Sequence, residues 1–126
     1  VLAILPNAYM QGHTAGVNMA GGDGSFDRAI PMNSIGFFGL HIMSAGSYDG
    51  EMKEEKTEDS VKRFFAGDGI LKGFMLIGET ERAGIYTSLI REKTPLCEID
   101  FELAEKIASN LIFSQKIRRK KFGGVV

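Results

Sequence analysis

The sequence has little of what would announce a chemistry of its own. It holds one cysteine, Cys97, so no internal disulfide can form, and no second cysteine stands at metal-ligand or redox spacing. Cys97 reads as a small apolar residue of the interior. No apolar run approaches the roughly 20 residues of a membrane span. The first residues carry neither a basic stretch nor a small-residue cleavage site, so no membrane is implied and the cytoplasm is the expected location. Charge of neither sign dominates. Lys and Arg number 15 against 16 Asp and Glu, a net charge of -1, which leaves no global field for nucleic acid or an anionic surface. The two histidines, His13 and His41, have no carboxylate, cysteine or second histidine at ligand spacing, so no metal is implied. No serine lies in a nucleophile elbow, and neither GxGxxG nor GxxxxGK[ST] opens a helix after a strand. The carboxylates concentrate in one charged strand and on helices, where solvent leaves them unsuited to acid and base work near neutrality. Side-chain chemistry alone gives no enzyme.

What is there is enough for one compact core: 126 residues, 44% apolar and 25% charged. The chain begins with Val1 rather than Met, inside the apolar run "VLAILP", and is expected to be a piece of a longer protein. A helix is predicted from Pro6 to Ala20, opened by a proline that tolerates the missing N–H and closed by Gly21 and Gly22. Along it Ala8, Gly12, Gly16 and Ala20 recur every fourth residue as a flat stripe. Each mid-helix glycine costs on the order of 0.5 to 1 kcal/mol against alanine, which is recovered where another backbone or a flat ligand approaches closely. The "GGDGSFD" that follows reads as a flexible linker rather than a phosphate loop.

"SIGFFGLHIMSAG" reads as a strand, or a strand pair bent near Gly36 and Gly39, and "EMKEEKTEDS" as a charged edge strand that discourages further pairing. "VKRFFAGDGILKGFMLIGE" is the clearest hairpin, two strands around a GDG turn. A helix then starts at the Thr80 cap, with Ala83, Tyr86 and Ile90 on one face, and stops at Pro95. A second is expected from Asp100, carrying Phe101, Ala104, Ile107, Ala108 and Leu111 at helical spacing. "KIRRKK" puts five basic side chains into six residues and reads as part of a solvated tail. The expected fold class is α+β: an N-terminal helix, an antiparallel sheet of four or five strands, and two C-terminal helices packed on one face.

Three segments in this order, "PNAYMQGHTAGVNMAGG", "IPMNSIGFFGLHIMSAG" and "LKGFMLIGETERAGIYTSLIREKTPL", resemble the C-terminal region of the pyridine nucleotide-disulfide oxidoreductases. The branch resembled is that of the NADH:rubredoxin and nitrite reductases. The likeness covers roughly residues 5 to 96, and "ERAGIYTSLIREK" is its most specific part. It implies that residues 1–22 are the last helix of an FAD domain, 23–33 a linker, and 34–126 a dimerisation-like interface domain. In such proteins that helix points its N-terminus at the flavin. By that resemblance Pro6, Asn7 and Ala8 lie nearest the cofactor, Gln11 one turn further in, and Met32 and Asn33 approach from the other domain. Several relatives carry an aromatic pair where this chain has Met32 and Asn33.

The implied whole protein is an FAD-dependent oxidoreductase taking electrons from NAD(P)H to an acceptor, its nucleotide-binding domains upstream. The implied partners are those domains, a redox acceptor protein and further copies in a homo-oligomer, on which the first helix could dock. This chain alone would supply one wall of the flavin site without turnover. A reading from another class is a stand-alone interaction module that recruits a partner through a sheet edge or helix face.

Overall fold

The computed structural model describes residues 4–27, 29–107 and 109–123. It shows an N-terminal helix, a five-stranded antiparallel sheet and C-terminal helices, an α+β arrangement. Helix α1 (Leu5–Met19) precedes strands β1 (Met32–Phe37), β2 (Leu40–Gly46), β3 (Glu51–Lys56), β4 (Val61–Gly67) and β5 (Ile70–Ile77). Helices α2 (Gly84–Glu92), α3 (Phe101–Lys106) and α4 (Gln115–Phe122) follow. The strand order is β1-β2-β5-β4-β3, so β1 and β3 are the edges. Among the described residues no helix is long and apolar enough to cross a membrane.

Two hairpins use the same two-residue turn. Asp68 and Gly69 both have positive φ, 53° and 74°, as do Phe38 and Gly39 at 47° and 85°. This is the mirror-image turn whose twist matches the strands it joins. The β2 and β5 strands cross closely where Gly46 opposes Gly73. A Cβ on either glycine would run into backbone of the neighbouring strand, at Lys72 and Ser47 respectively, so both positions require the bare backbone.

One face of the sheet carries the core. Strand alternation puts Met43, Ala45, Phe64, Phe74 and Leu76 on it, and α2 seats Ala83, Tyr86 and Leu89 against them. Each fully buried side chain of this size contributes about 1.5 to 3 kcal/mol. The Tyr86 ring meets Phe64 edge-on at 5.0 Å and tilts against Phe74 at 5.5 Å. Its hydroxyl donates to the Ala104 carbonyl at 2.6 Å, tying α3 to α2. Phe101 of α3 reaches Phe64 at 6.1 Å, and Lys53 of β3 pairs with Glu105 at 3.1 Å, so α3 covers the β3–β4 side of the same face. That hydrogen bond and the Glu105 charge hold the Lys53 ammonium above the usual lysine range.

Four local expectations change. The helix begun at Asp100, whose carboxylate caps Leu103 N–H at 2.9 Å, ends at Lys106. Ile107 is extended because Asp100 N–H is tied to the Ile112 carbonyl and Ile99 bridges Phe113, which turns the chain back. Ala108 lies outside the described residues. The basic segment is helix α4, started by Ser114, whose hydroxyl accepts from Ile117 N–H at 3.4 Å, and anchored by Ile117 against the core. Helix α2 starts without a side-chain cap, and it ends before Pro95 on a left-handed Lys93. Cys97 is exposed on a short 3-10 turn, Leu96–Glu98, rather than interior.

Tyr86 yields a stability prediction. Its side chain is 2% exposed, and burial pushes the phenol from 10.0 up to about 12, helped by the Glu55 and Glu105 charges. A raised folded-state value stabilises fully below pH 10.0 and is lost as pH rises through about 12. Urea denaturation should therefore show stability falling across that alkaline window. Tyr86→Phe should flatten the fall while costing about 1 to 2 kcal/mol at neutral pH, since the Ala104 carbonyl is left unpaired.

Candidate functional site at the foot of the N-terminal helix

Helix α1 owes little to the core. Its Pro6 sits in the first turn, the residue before the helix, Ile4, is extended at φ -126° and ψ 150°, and no side chain caps the first N–H groups. No acidic residue stands in that turn, so the positive end of the helix is uncompensated from within. The far end is complete: Gly22 N–H bonds the Val17 carbonyl at 2.9 Å and Gly21 N–H the Asn18 carbonyl at 3.0 Å, with Gly21 at φ 90°.

The segment after α1 runs back along one helix face. Asn18 Nδ2 donates to the Gly24 carbonyl at 2.9 Å, and Gly24 N–H returns to Asn18 Oδ1 at 2.6 Å. At the foot Asn7, only 1% exposed, donates through Nδ2 to the Ile30 carbonyl at 3.2 Å. Asn7, Met10, Thr14 and Asn18 thus form the face turned to the chain's own linker. At 3.6 residues per turn, Ala8, Gly12, Gly16 and Ala20 lie on roughly the opposite side. A Cβ on Gly12 or Gly16 would meet nothing within 4 Å, so among the described residues nothing approaches the small stripe.

The residues expected at a flavin fall into two groups. Asn7 is locked to Ile30, two residues before Met32, and Ile30 and Met32 both pack at the core's margin. Pro31 is held by its carbonyl, which accepts from Gly46 N–H at 2.9 Å. The foot of α1 and the start of β1 are therefore joined, and β1 begins at Met32, inside the stretch read as linker. Pro6, Ala8 and Gln11 are exposed around that foot, the Ala8 N–H already bonded to Ile4 at 3.0 Å. Asn33 is exposed and opposes Ser44, on the sheet face opposite that of Met32.

Of two clefts, one adjoins these elements and the other opens at the opposite end of β2 and β5. One of about 410 Å³ lies directly beside Ile30 and Pro31, with Lys72, Arg91 and Lys93 facing a single acid, Asp27. The other, about 590 Å³, is lined by His41, Lys62, Glu79, Arg82 and Lys106, but its most buried cation is engaged: Lys62 pairs with Glu79 at 2.9 Å and bonds the Lys106 carbonyl at 3.1 Å. Among the described residues no three of His, Cys, Asp and Glu gather to hold a metal. Sequence reasoning missed that Gly24 and Ile30 return to α1. The signal lay in Asn18 and Gly24, a side-chain amide and a glycine within reach of each other.

No family model matches the chain. It is 41% identical over 103 residues to the NADH-dependent phenylglyoxylate dehydrogenase subunit epsilon of Aromatoleum evansii. The match takes in 75% of this chain and 24% of that protein, so the chain spans about a quarter of the curated relative's length. That relative is named as one subunit of an NADH-dependent dehydrogenase, and the similarity relates this chain to an NADH-linked oxidoreductase.

The Asn7 joint makes a local prediction. Asn7→Ala removes the donor to Ile30 and should release the foot of α1, giving faster proteolytic nicking before Ile30. Thermal unfolding of the sheet and α2 should stay near that of the parent chain, because α1 shares little of their core.

Proposed function

We propose that this chain is one part of an FAD-dependent NAD(P)H oxidoreductase, working in the cytoplasm, and that the foot of α1 with the start of β1 forms one wall of its flavin site. The observation that carries the reading is the uncapped, acid-free N-terminus of α1, fixed against Ile30 by Asn7 and backed by a bare small-residue face. The 41% identity to a subunit of an NADH-dependent dehydrogenase supports it. FAD, when bound, supplies the two-electron chemistry between the nicotinamide and the acceptor.

The chain's own residues bind and orient. The main-chain N–H of Leu5, in the exposed first turn, offers a donor to the electron-rich end of the ring system, Pro6 having none and Asn7 being buried. Ala8 and Gln11 extend that surface along the helix, and Met32 borders it from the start of β1, Asn33 pointing to the other face of the sheet. The flat stripe from Ala8 to Ala20 lets α1 lie close against the remainder of the cofactor domain, where any larger side chain would hold it off. Nothing in this arrangement moves a proton or forms a covalent bond. Its contribution is positioning and the exclusion of water, and turnover requires the remaining nucleotide-binding parts of the protein.

The reading is tested at Ala8, which is exposed in the first turn. Ala8→Asp places a carboxylate where the helix itself favours one, by about 0.3 to 1 kcal/mol, so folding should be unharmed. In the full-length protein it should weaken FAD retention and move the flavin's reduction potential downward, because a negative charge opposes gain of electrons nearby. An unchanged potential and unchanged FAD content in this variant would overturn the proposal.

A further inference from the structure

The larger of the two clefts, about 590 Å³, plays no part in the flavin wall. It opens where β2 begins and β5 ends, at the far end of both strands from Gly46 and Lys72. Its floor is apolar: Leu76 of β5 and Tyr86 of α2, both almost wholly covered, with Ile107 beside them at 47% exposure. Its rim is charged. Lys62 and Glu79 cancel each other at 2.9 Å, and His41 lines the cleft from β2. That leaves Arg82 and Lys106 against one acid, Glu81, and neither cation has an ion pair among the described residues. An apolar concavity with a few convergent polar groups is the form that small-molecule sites take.

Arg82 is the most informative of these residues. Its φ is 57°, left-handed backbone that is costly for a residue with a Cβ. The other described non-glycine residues with positive φ have ordinary reasons for it: Phe38 and Asp68 sit in two-residue hairpin turns, and Lys93 closes α2. Arg82 stands in the turn that leads into α2, closed by Ala83 N–H on the Thr80 carbonyl at 3.4 Å, where glycine or asparagine would be free of strain. An exposed arginine without an ion pair offsets none of that cost within the chain. Its planar fork of donors offsets it once a carboxylate arrives, because the two pair through parallel hydrogen bonds. The start of α2 adds to the attraction, with no side-chain cap and no acid in its first turn.

We infer that this cleft binds a small monocarboxylic acid with a ring-sized apolar body, its carboxylate on Arg82 and its body over Leu76, Tyr86 and Ile107. The charge count selects the anion. With Lys62 and Glu79 paired, two cations face Glu81, a surplus of one that a monoanion neutralises and a phosphate dianion would exceed. The floor selects the body, since an inorganic ion would leave the apolar surface wet. The acid is held at the end of β2 and β5 away from the flavin wall, so it is an effector rather than a reactant there, and its binding does not rest on the flavin reading. Arg82 precedes α2 and Lys106 ends α3. An acid held between them therefore adds a second link between the two helices, beside the bond from Tyr86 to the Ala104 carbonyl.

The test is a titration of the whole chain with cyclohexanecarboxylate, read by its backbone amide NMR resonances and by thermal melting. Saturable shifts should gather at residues 80–83 and 106–107, and the melting temperature should rise with ligand concentration. Acetate, which lacks the body, cyclohexylmethanol, which lacks the charge, and inorganic phosphate should each bind about tenfold more weakly or worse. Arg82→Gln should weaken binding of the ring acid by about tenfold or more, while Lys56→Gln, on the β3 edge outside the cleft, should leave it unchanged. Arg82→Gly keeps the result readable if the glutamine variant unfolds. Glycine suits the positive φ, so that variant should melt no lower than the parent and still bind weakly. Shifts that do not saturate, acetate, phosphate or the alcohol binding as tightly as the ring acid, or full affinity in either Arg82 variant would each overturn the inference.

Discussion

Tyr86 is the residue on which the folded domain depends. Its ring fills the space between Phe64 and Phe74 on the sheet, and its hydroxyl satisfies the Ala104 carbonyl. Sheet, α2 and α3 are thereby held by one side chain, with the phenol kept neutral by burial. The consequences spread outward. With α3 in place, Lys53 of β3 finds Glu105, and the charged edge strand is fastened to the helical layer by its inward-facing residues. With α2 in place, Leu96 N–H reaches the Gly69 carbonyl at 2.8 Å and Pro95 bridges Ile70, closing the end of the β4–β5 hairpin.

Helix α1 stands apart from that hierarchy. A helix of this length with two internal glycines is marginal in water, and here its support comes from Asn18 at one end and Asn7 at the other. Amide side chains do the work that apolar packing does elsewhere. Such a helix is available to a second surface, which makes sense of a stripe of small residues that this chain leaves bare. Under the proposed function, the remainder of the cofactor domain covers that stripe.

Much of the fold was legible because local and global signals agree. The GDG turn, the alternation around Phe64 and Phe74, and the guard charges of β3 each point to the strand that forms. The legibility fails where a local pattern is interrupted by a distant contact. Phe101, Ala104, Ile107 and Leu111 keep helical spacing, yet the bond from Asp100 N–H to the Ile112 carbonyl bends the chain before the pattern ends. Phe38 left the β1–β2 segment open between a single strand and a pair bent near Gly36 and Gly39, since an aromatic is not the residue such turns select. At the candidate site the sequence indicated the helix start and the residues around it. It did not indicate that Asn7 is consumed by Ile30, a contact made across 23 residues of chain, and Met32 and Asn33 point to opposite faces because β1 begins at Met32, inside the stretch read as linker.

The measurement that tests the central claim most directly is amide hydrogen exchange over residues 4 to 24, comparing the chain alone with the chain joined to the FAD-loaded remainder of its protein. The account predicts that α1 exchanges readily when alone and becomes strongly protected in the joined form, with Leu5 slowed further when FAD is present. Exchange that is the same with and without the remainder and its cofactor would contradict it.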